Sequence, residues 1–414
     1  MSRQSTNKAR RIVKNLIPGQ VIPVGSEPWG VAVDEVNHTA YIANSGETTI
    51  TPINTDSLTP GQKINLAYEP VWLLLNKVNS TLYALSIDGY ITPINTKNNT
   101  PGTNISVGFD PESVDVDERN NILFVANYFA SQIHCIDMAT GKPTPGSPIY
   151  LSVKPGDIAV DETNDTLYVL YGEEDPQGYV LPLSATPPYA PKGNPIPIGV
   201  APWAMVFDKT NQLLYVGIDN DEISIVYTSD NTSSIGSLDV PKSPVGRISC
   251  MAVDEAYQIL YVIYQDNAFK SFLYAIKTDT NYASLPAYVG DLSDGIAVDQ
   301  KSHTIWTTSI KDNTTTPVQI NFAKVVISAP QAGGHVPPGQ VLFSGSGEPG
   351  AMIRIRLIAR ESAVAMNLPP VIVGRDGLWR TTARIATPGK YSAVALQSVG
   401  SVPTLQCTMN FTVA

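Results

Sequence analysis

The side chains best suited to hold a ligand in this chain are aromatic and amide groups beside short apolar runs. Tyr128 and Phe129 directly follow Asn127 at the end of one run. Trp29 and Trp203 each follow a proline that opens a run, and Tyr264 ends another. Aromatic faces and amide groups suit sugars, peptides and flat ligands. We predict that these side chains bind a ligand: Trp29, Trp203, Asn127, Tyr128, Phe129 and Tyr264.

Groups for catalysis or metal binding are not gathered by any motif. The four histidines are far apart: His38, His134, His303 and His335. No G-x-S-x-G elbow and no Gly-rich phosphate loop is present. The acidic segments EED (173–175) and DNDE (219–222) offer carboxylates for calcium, but their spacing does not match an EF-hand and acidic hairpins are common solvated turns. We predict no catalytic residue, no metal and no cofactor, with calcium at these two segments as the alternative.

Charge is unevenly distributed along the 414 residues, which carry a net charge of −10. Residues 1–14 hold five Lys/Arg and no acid, and residues 324–414 hold eight Lys/Arg against three acids. Residues 15–323 hold 14 Lys/Arg against 34 Asp/Glu, a net charge of −20. An acidic body repels nucleic acid and anionic membranes. We therefore expect a protein or glycan partner rather than nucleic acid; the oligomeric state is left open.

The chain lacks the sequence signals of membrane insertion and classical secretion. No segment has the length and apolarity of a membrane-spanning helix. The basic start, MSRQSTNKAR, lacks the apolar core of a secretory signal. We expect a cytoplasmic protein, with a non-classical route to the cell surface or the exterior as the alternative. Three scattered cysteines, Cys135, Cys250 and Cys407, favour buried free thiols.

A repeat of forty-odd residues dominates the region that carries the candidate residues. PWGVAVDEVNHTAYI (28–42) returns as PGDIAVDETNDTLYV (155–169) and PWAMVFDKTNQLLYV (202–216). Seven units align on an acidic or amide position: Asp34, Asn76, Asp117, Asp161, Asp208, Asp254 and Asp299. An aromatic follows seven positions later in every unit: Tyr41, Tyr83, Phe124, Tyr168, Tyr215, Tyr261 and Trp306. This period, built from short apolar runs, is typical of the blades of a β-propeller.

Each unit predicts one four-stranded blade. In the D-x-x-N turn between its first two strands, the Asp side chain folds back onto the turn backbone, and the Asn is expected to adopt the left-handed conformation. We predict that the repeated aromatics are buried between neighbouring blades, because a thin sheet cannot cover both its faces alone. Trp29 and Trp203 have the same packing against a neighbouring blade as an alternative to ligand binding.

The seventh unit ends without a fourth strand. Residues 18–25, PGQVIPVG, resemble the fourth strands of other units, such as PGTNISVG (101–108). We predict that residues 19–24 complete the last blade beside residues 317–322, which shields strand edges that an open ring would expose.

At these residues the chain resembles the YVTN family of seven-bladed β-propeller repeats, whose Tyr-Val-x-Asn motif is best kept as YIAN (41–44) and FVAN (124–127). From Lys324 the period breaks into alternating runs that predict a β-sandwich. GSGEPGA (345–351) and RDGLW (375–379) are similar to bacterial Ig-like domains. The predicted organisation is all-β, with a basic tail (1–17), a seven-bladed propeller (18–322) closed by an N-terminal strand, and an Ig-like β-sandwich (324–414).

Three functions are compatible with this organisation, because propellers host both binders and enzymes. The leading hypothesis is a non-catalytic binding or adhesion protein that recognises a glycan, peptide or protein, with the Ig-like domain as spacer or docking module. The second is a lactonase-like hydrolase or lyase with an axial active site, which the resemblance allows but which needs a histidine and carboxylates at the ring centre. The third is a bacterial toxin or effector component.

Overall fold

The computed structural model describes residues 16–173, 175–219, 222–240, 246–278, 282–362, 364–400 and 402–414. Within these ranges the chain consists of β-strands, turns and loops and has no helix. It divides into two compact units, one formed mainly by residues 16–320 and the other by residues 321–414. The all-β prediction is confirmed. Residues 1–15 of the predicted basic tail lie outside the described residues. So do Glu174, Asn220 and Asp221 of the two acidic segments.

Within the described residues, the first unit contains seven antiparallel sheets, each built from one sequence repeat. Blade one consists of Pro28–Asp34, Thr39–Asn44, Thr49–Asn54, Thr59–Pro60 and Ile64–Asn65. Blade two consists of Trp72–Asn76, Thr81–Ser86, Tyr90–Asn95, Thr100–Pro101 and Ile105–Ser106. Blade three consists of Pro111–Asp117, Ile122–Asn127, Gln132–Asp137, Lys142–Pro143 and Ile149–Tyr150. Blade four consists of Ile158–Asp161, Thr166–Tyr171, Gly178–Ser184 and Ile196–Gly199. Blade five consists of Ala204–Asp208, Leu213–Ile218, Glu222–Tyr227 and Thr232–Asp239. Blade six consists of Gly246–Asp254, Ile259–Asp266, Lys270–Lys277, Tyr282–Ala283 and Ala287–Asp291. Blade seven has Ile296–Asp299, Thr304–Ser309 and Thr314–Ile320, completed by Leu16–Pro18 and Ile22–Pro23.

The seven sheets form a closed ring. The first strand of every blade contacts the first strand of the next, and Ile296–Asp299 of blade seven contacts Pro28–Asp34 of blade one. The first strands therefore surround a common axis, and the outermost strands lie at the rim. This is the seven-bladed propeller that the repeat predicts.

Buried clusters between neighbouring blades hold the ring together. The repeated aromatics are all nearly or completely buried, as predicted: Tyr41, Tyr83, Phe124, Tyr168, Tyr215, Tyr261 and Trp306. Tyr41 packs with Leu82 of the next blade, and Tyr168 packs with Leu214. Trp306 of blade seven packs with Ile42 of blade one. Each blade thus hides apolar surface on its neighbour, which no blade achieves alone.

The N-terminal strand closes blade seven, but in a different register from the prediction. Leu16–Pro18 pairs with residues 318–320, and Ile22–Pro23 pairs with residues 314–315. The strand is thus displaced towards the N-terminus and broken in the middle, where Gly19 donates its backbone NH to the Pro317 carbonyl at 2.7 Å. Ile22 is buried in the cluster that contains Trp306.

The D-x-x-N turns of blades one, three, four and five use the repeated Asp as predicted, but a different residue is left-handed. Asp161 Oδ1 accepts the backbone NH groups of Thr163 and Asn164 at 3.0 and 3.2 Å, and its Oδ2 accepts the Asn164 side chain at 2.7 Å. The residue with positive φ is the next one, Asp165, at 54°. The Asn is therefore retained for its bond to the Asp, and the prediction that it takes the left-handed conformation is wrong.

Acids that follow the repeated Asp link neighbouring blades on the turn face of the ring. Glu118 donates its backbone NH to Glu162 Oε1 at 2.7 Å, and Lys77 donates its own to Glu118 Oε1 at 2.8 Å. Gln300 of blade seven donates its backbone NH to Glu35 Oε1 of blade one at 3.0 Å. The last of these bonds joins the two ends of the ring.

The second unit is a pair of facing sheets. Within the described residues, the strand order of the smaller sheet is Val326–Ala329, Gly339–Ser346 and Leu378–Ile385. The strand order of the larger sheet is His335–Val336, Val402–Val413, Gly389–Val399, Met352–Ala359 and Ala365–Asn367. The short strand Val371–Ile372 also pairs with Met352–Ala359. Phe343 and Phe411, one from each sheet, meet edge to face with ring centroids 5.8 Å apart. Trp379 is buried and donates its indole NH to the Ser346 carbonyl at 3.0 Å. The predicted β-sandwich is present; its relation to Ig-like domains remains a resemblance.

Candidate functional site: a pocket at the propeller axis

A pocket of about 530 Å³ opens where the first strands of the blades begin. It lies at the axis, because every blade contributes to its wall. The position five residues before the repeated acid supplies much of the lining: Trp29, Glu112, Gly156, Trp203, Ser249 and Asp294. The end of the second strand and the loop after it add Tyr128, Phe129, Tyr171 and Glu173. The fold therefore gathers at one place side chains that are far apart in sequence.

Aromatic side chains form much of the pocket wall. Trp29 and Trp72 meet edge to face with centroids 5.8 Å apart, and Tyr128 and Phe129 do the same at 5.2 Å. Trp203 is 44% exposed and Phe129 is 70% exposed. Rings exposed to this degree at the mouth of a cavity are available for contact with a ligand.

Two cations lie on these rings. Lys154 Nζ is 4.9 Å from the Tyr128 centroid and 5.6 Å from that of Phe129. Arg247 Cζ is 5.1 Å from the Trp203 centroid. A cation over an aromatic face is attracted by about 0.5–1 kcal/mol at exposed sites. These contacts hold both charged groups at the pocket wall.

Carboxylates outnumber the cations in the lining. They are Glu112, Asp157, Glu173 and Asp294. Partial burial raises the pKa of Glu112, and the nearby charges of Asp110 and Glu173 raise it further. The pocket thus concentrates negative charge in a space partly shielded from water.

Asp157 and one further carboxylate, Asp115, tie neighbouring blades together near the axis. Asp157 accepts the Ser113 hydroxyl at 2.6 Å and the Met205 backbone NH at 2.8 Å, so it links blades three, four and five. Asp115 accepts the Val160 backbone NH of the next blade at 2.7 Å. Burial raises the pKa of Asp115 to about 6, against the opposing influence of its hydrogen bonds and of Lys209. Burial also raises the pKa of Asp157.

The raised pKa of Asp115 predicts a specific pH dependence of stability. Because the folded state holds this proton more tightly than the unfolded state, Asp115 favours folding most below pH 4 and loses that contribution as the pH rises through about 6. Replacing it by Asn removes this dependence. We expect the unfolding free energy of the parent relative to Asp115→Asn to increase by about 1–3 kcal/mol between pH 7 and pH 4.5. Urea unfolding at several pH values measures this difference, and parallel pH profiles for the two proteins would contradict it.

The structure brings four of the six predicted ligand residues to the pocket. Trp29, Tyr128, Phe129 and Trp203 line it. Asn127 does not, since it is buried and donates its side-chain NH to the Phe109 carbonyl at 3.1 Å. Tyr264 does not either.

The sequence predicts that Tyr264 ends its run, but the strand Ile259–Asp266 continues two residues beyond it. The residue pairs with Ile248 within the sheet and is buried in the cluster between blades five and six. Asn127 and Tyr264 therefore contact the sheets rather than the pocket, and a part for them in ligand binding stays a prediction.

Sequence reasoning missed Lys154, Arg247, Asp157 and Asp294 in the pocket. Lys154 directly precedes the proline that opens its unit, and Arg247 occupies the same position in a unit where Ile248 replaces the proline. The aligned position is also charged in blades one to three, as Glu27, Glu69 and Asp110. A charged residue that recurs at this position, next to the predicted ligand-binding residues, is the sequence signal that could have identified Lys154 and Arg247.

The histidines of the described chain do not line the pocket. His303 Nδ1 lies 2.7 Å from Asp254 Oδ2, and His38 Nδ1 lies 3.2 Å from Asp56 Oδ2. Within the described ranges no group of His, Cys, Asp and Glu has the arrangement of a metal site. Cys250 lines the pocket, but burial raises the pKa of its thiol, so it is a poor nucleophile at neutral pH. In the part of the chain that the structure describes, no helix has the length and apolarity needed to span a membrane.

Comparison with known proteins supports the fold. Residues 38–150, which span most of blades one to three, match the family model described as Lactonase, 7-bladed beta-propeller. Among solved structures, the chain is similar to Kuenenia stuttgartiensis hydrazine synthase, with a TM-score of 0.61 and 13% identity over 77% of this chain and 99% of that one. It is also similar to U3-55K, with a TM-score of 0.57 and 9% identity over 74% of this chain and 98% of that one. A comparison with curated protein sequences gives no match. The protein thus belongs to the structural class of seven-bladed β-propellers, and identities this low carry no function with the fold.

Proposed function

We propose that this chain is a binding protein whose axial pocket recognises a glycan, peptide or protein ligand without converting it. The observation that carries this proposal is the composition of the pocket wall. The exposed rings of Trp203 and Phe129 and the half-buried ring of Tyr128 line the pocket, and the histidines of the described residues lie elsewhere. Pockets with aromatic walls and a few polar groups fix the orientation of a ligand.

Three polar groups of the pocket already have structural tasks. Asp157 accepts hydrogen bonds from three blades, counting the Ile158 NH at 2.9 Å, and Lys154 and Arg247 are held on aromatic rings. A general base must be positioned within hydrogen-bond reach of the proton it removes. The lining does hold a hydroxyl–carboxylate pair, Ser113 with Asp157 at 2.6 Å, but Asp157 is also bonded to backbone NH groups of blades four and five, so we assign this pair to joining the blades. We assign the C-terminal β-sandwich the role of a spacer or docking module in an adhesion protein.

A lactonase-like hydrolase is the second candidate, and one observation favours it. The match of residues 38–150 to the Lactonase family model covers Glu112, whose pKa is raised by burial. A carboxylate with a raised pKa is better matched to acid–base work near neutral pH. In that case Glu112 would activate water, and Lys154 or Arg247 would stabilise the oxyanion.

The binding proposal is tested with glycan and peptide arrays, followed by calorimetry on the recovered ligand. We expect Trp203→Ala to weaken binding at least about ten-fold, since an exposed ring in the wall supplies stacking worth one to two kcal/mol. Tyr150→Ala is the matched control, because Tyr150 is 75% exposed on the outer strand of blade three and does not line the pocket. Equal affinity of parent and Trp203→Ala would show that the ligand binds elsewhere.

A further inference from the structure

We infer that the axial pocket recognises a positively charged group, a protonated amine or a guanidinium, on its ligand. This inference rests on the proposed binding function and names the chemistry of the ligand. It is carried by three features of the pocket: the balance of charge in its lining, the aromatic walls, and the field of the propeller around it.

The charge balance of the lining favours a cation. Asp157 is engaged by three hydrogen bonds, so it is committed to the fold. Counted by formal charge, the described lining holds four carboxylates, Glu112, Asp157, Glu173 and Asp294, against two cations, Lys154 and Arg247. Mutual repulsion between Glu112, Asp110 and Glu173 contributes to the raised pKa of Glu112. A bound cation relieves this repulsion, whereas a bound anion adds to it.

The aromatic walls favour the same sign of charge. Negative ring faces attract cations, and the pocket already holds two of its own cations in this way. Lys154 and Arg247 are already engaged by these rings. Trp29 and Trp72 line the same cavity as an edge-to-face pair, and a ligand cation can contact their faces.

The electrostatic field of the acidic propeller extends the preference for cationic ligands beyond the pocket. Residues 15–323 carry 14 Lys/Arg against 34 Asp/Glu. A cleft lined by carboxylates in a body of the same sign raises the local concentration of cationic ligands and repels anionic ones. An anionic ligand would have to reach Lys154 and Arg247 against this field.

The test compares three probes that share one apolar body: phenethylammonium, phenethyl alcohol and phenylacetate. Binding to the full chain is measured by calorimetry at neutral pH and low salt. We expect phenethylammonium to bind at least about ten-fold more tightly than either of the others, and Glu112→Gln to remove most of that preference. Glu69→Gln is the matched control, because Glu69 is an exposed glutamate outside the pocket lining. Thermal melts of both variants establish that they fold.

The outcomes separate this inference from the proposed function. Phenethylammonium that binds no more tightly than phenethyl alcohol, or a preference unchanged in Glu112→Gln, overturns the inference. Tighter binding of phenylacetate also overturns it but leaves a binding pocket, which then depends on Lys154 and Arg247. Arrays that yield a neutral ligand sensitive to Trp203→Ala would keep the proposed function and remove the cationic preference.

Discussion

Removal of residues 1–25 is expected to abolish the cooperative unfolding transition of the propeller and to cause aggregation. The deletion takes away Leu16–Pro18 and Ile22–Pro23, which pair with the third strand of blade seven. It exposes the edge of that strand, and we expect aggregation because an unpaired strand edge can pair with other chains. It also removes Ile22 from the cluster that joins blade seven to blade one through Trp306. Thermal melting followed by circular dichroism, with light scattering for aggregation, measures both effects.

A shorter deletion provides the control for this experiment. Removal of residues 1–14 leaves both closing segments in place, and we expect that protein to melt like the parent. A protein lacking residues 1–25 that unfolds with the parent's midpoint and cooperativity would show that the N-terminal segment does not close the ring.

Replacement of Tyr215 by Ala is expected to lower the free energy of unfolding by about 3–5 kcal/mol, because a fully buried aromatic leaves a cavity that its surroundings fill only in part. Tyr215 is 0% exposed and packs between blades five and six with Leu260 and Ile248. Urea unfolding measures the loss. Tyr150→Ala, at a side chain that is 75% exposed, is expected to change stability by no more than about 0.5 kcal/mol. Equal stability of the two variants would contradict the placement of the repeated aromatics between blades.

The repeat predicts the fold well because a propeller is specified by short-range patterns. The interval between repeated acids sets the blade, the D-x-x-N turn sets the first hairpin, and the aromatic seven positions later sets the contact with the next blade. Each of these is read within one unit of about forty residues. What failed was register: the closing strand is displaced and broken, because the pairing of an edge strand depends on the partner strand and not on its own pattern.

The site was predicted less completely, since it is formed by side chains from all seven blades. Trp29 and Trp203 were found because the repeated proline marks the start of the first strand. Tyr264 lies within the sheet because its strand continues two residues beyond it, and strand ends are hard to predict to one or two residues. Asn127 does end its strand, but its side chain is bonded to the Phe109 carbonyl. Lys154 and Arg247 are positioned by rings on other segments, which no local pattern reveals.

The measurement that tests the binding account most directly is the fate of the ligand after it has bound. The ligand recovered from the arrays is incubated with the full chain at neutral pH, and mass spectrometry then compares it with a sample kept without protein. The account predicts that the ligand is recovered unchanged while calorimetry shows binding that depends on Trp203. Conversion of the ligand to a product by the parent, with loss of conversion in Glu112→Gln, would contradict it and establish the hydrolase.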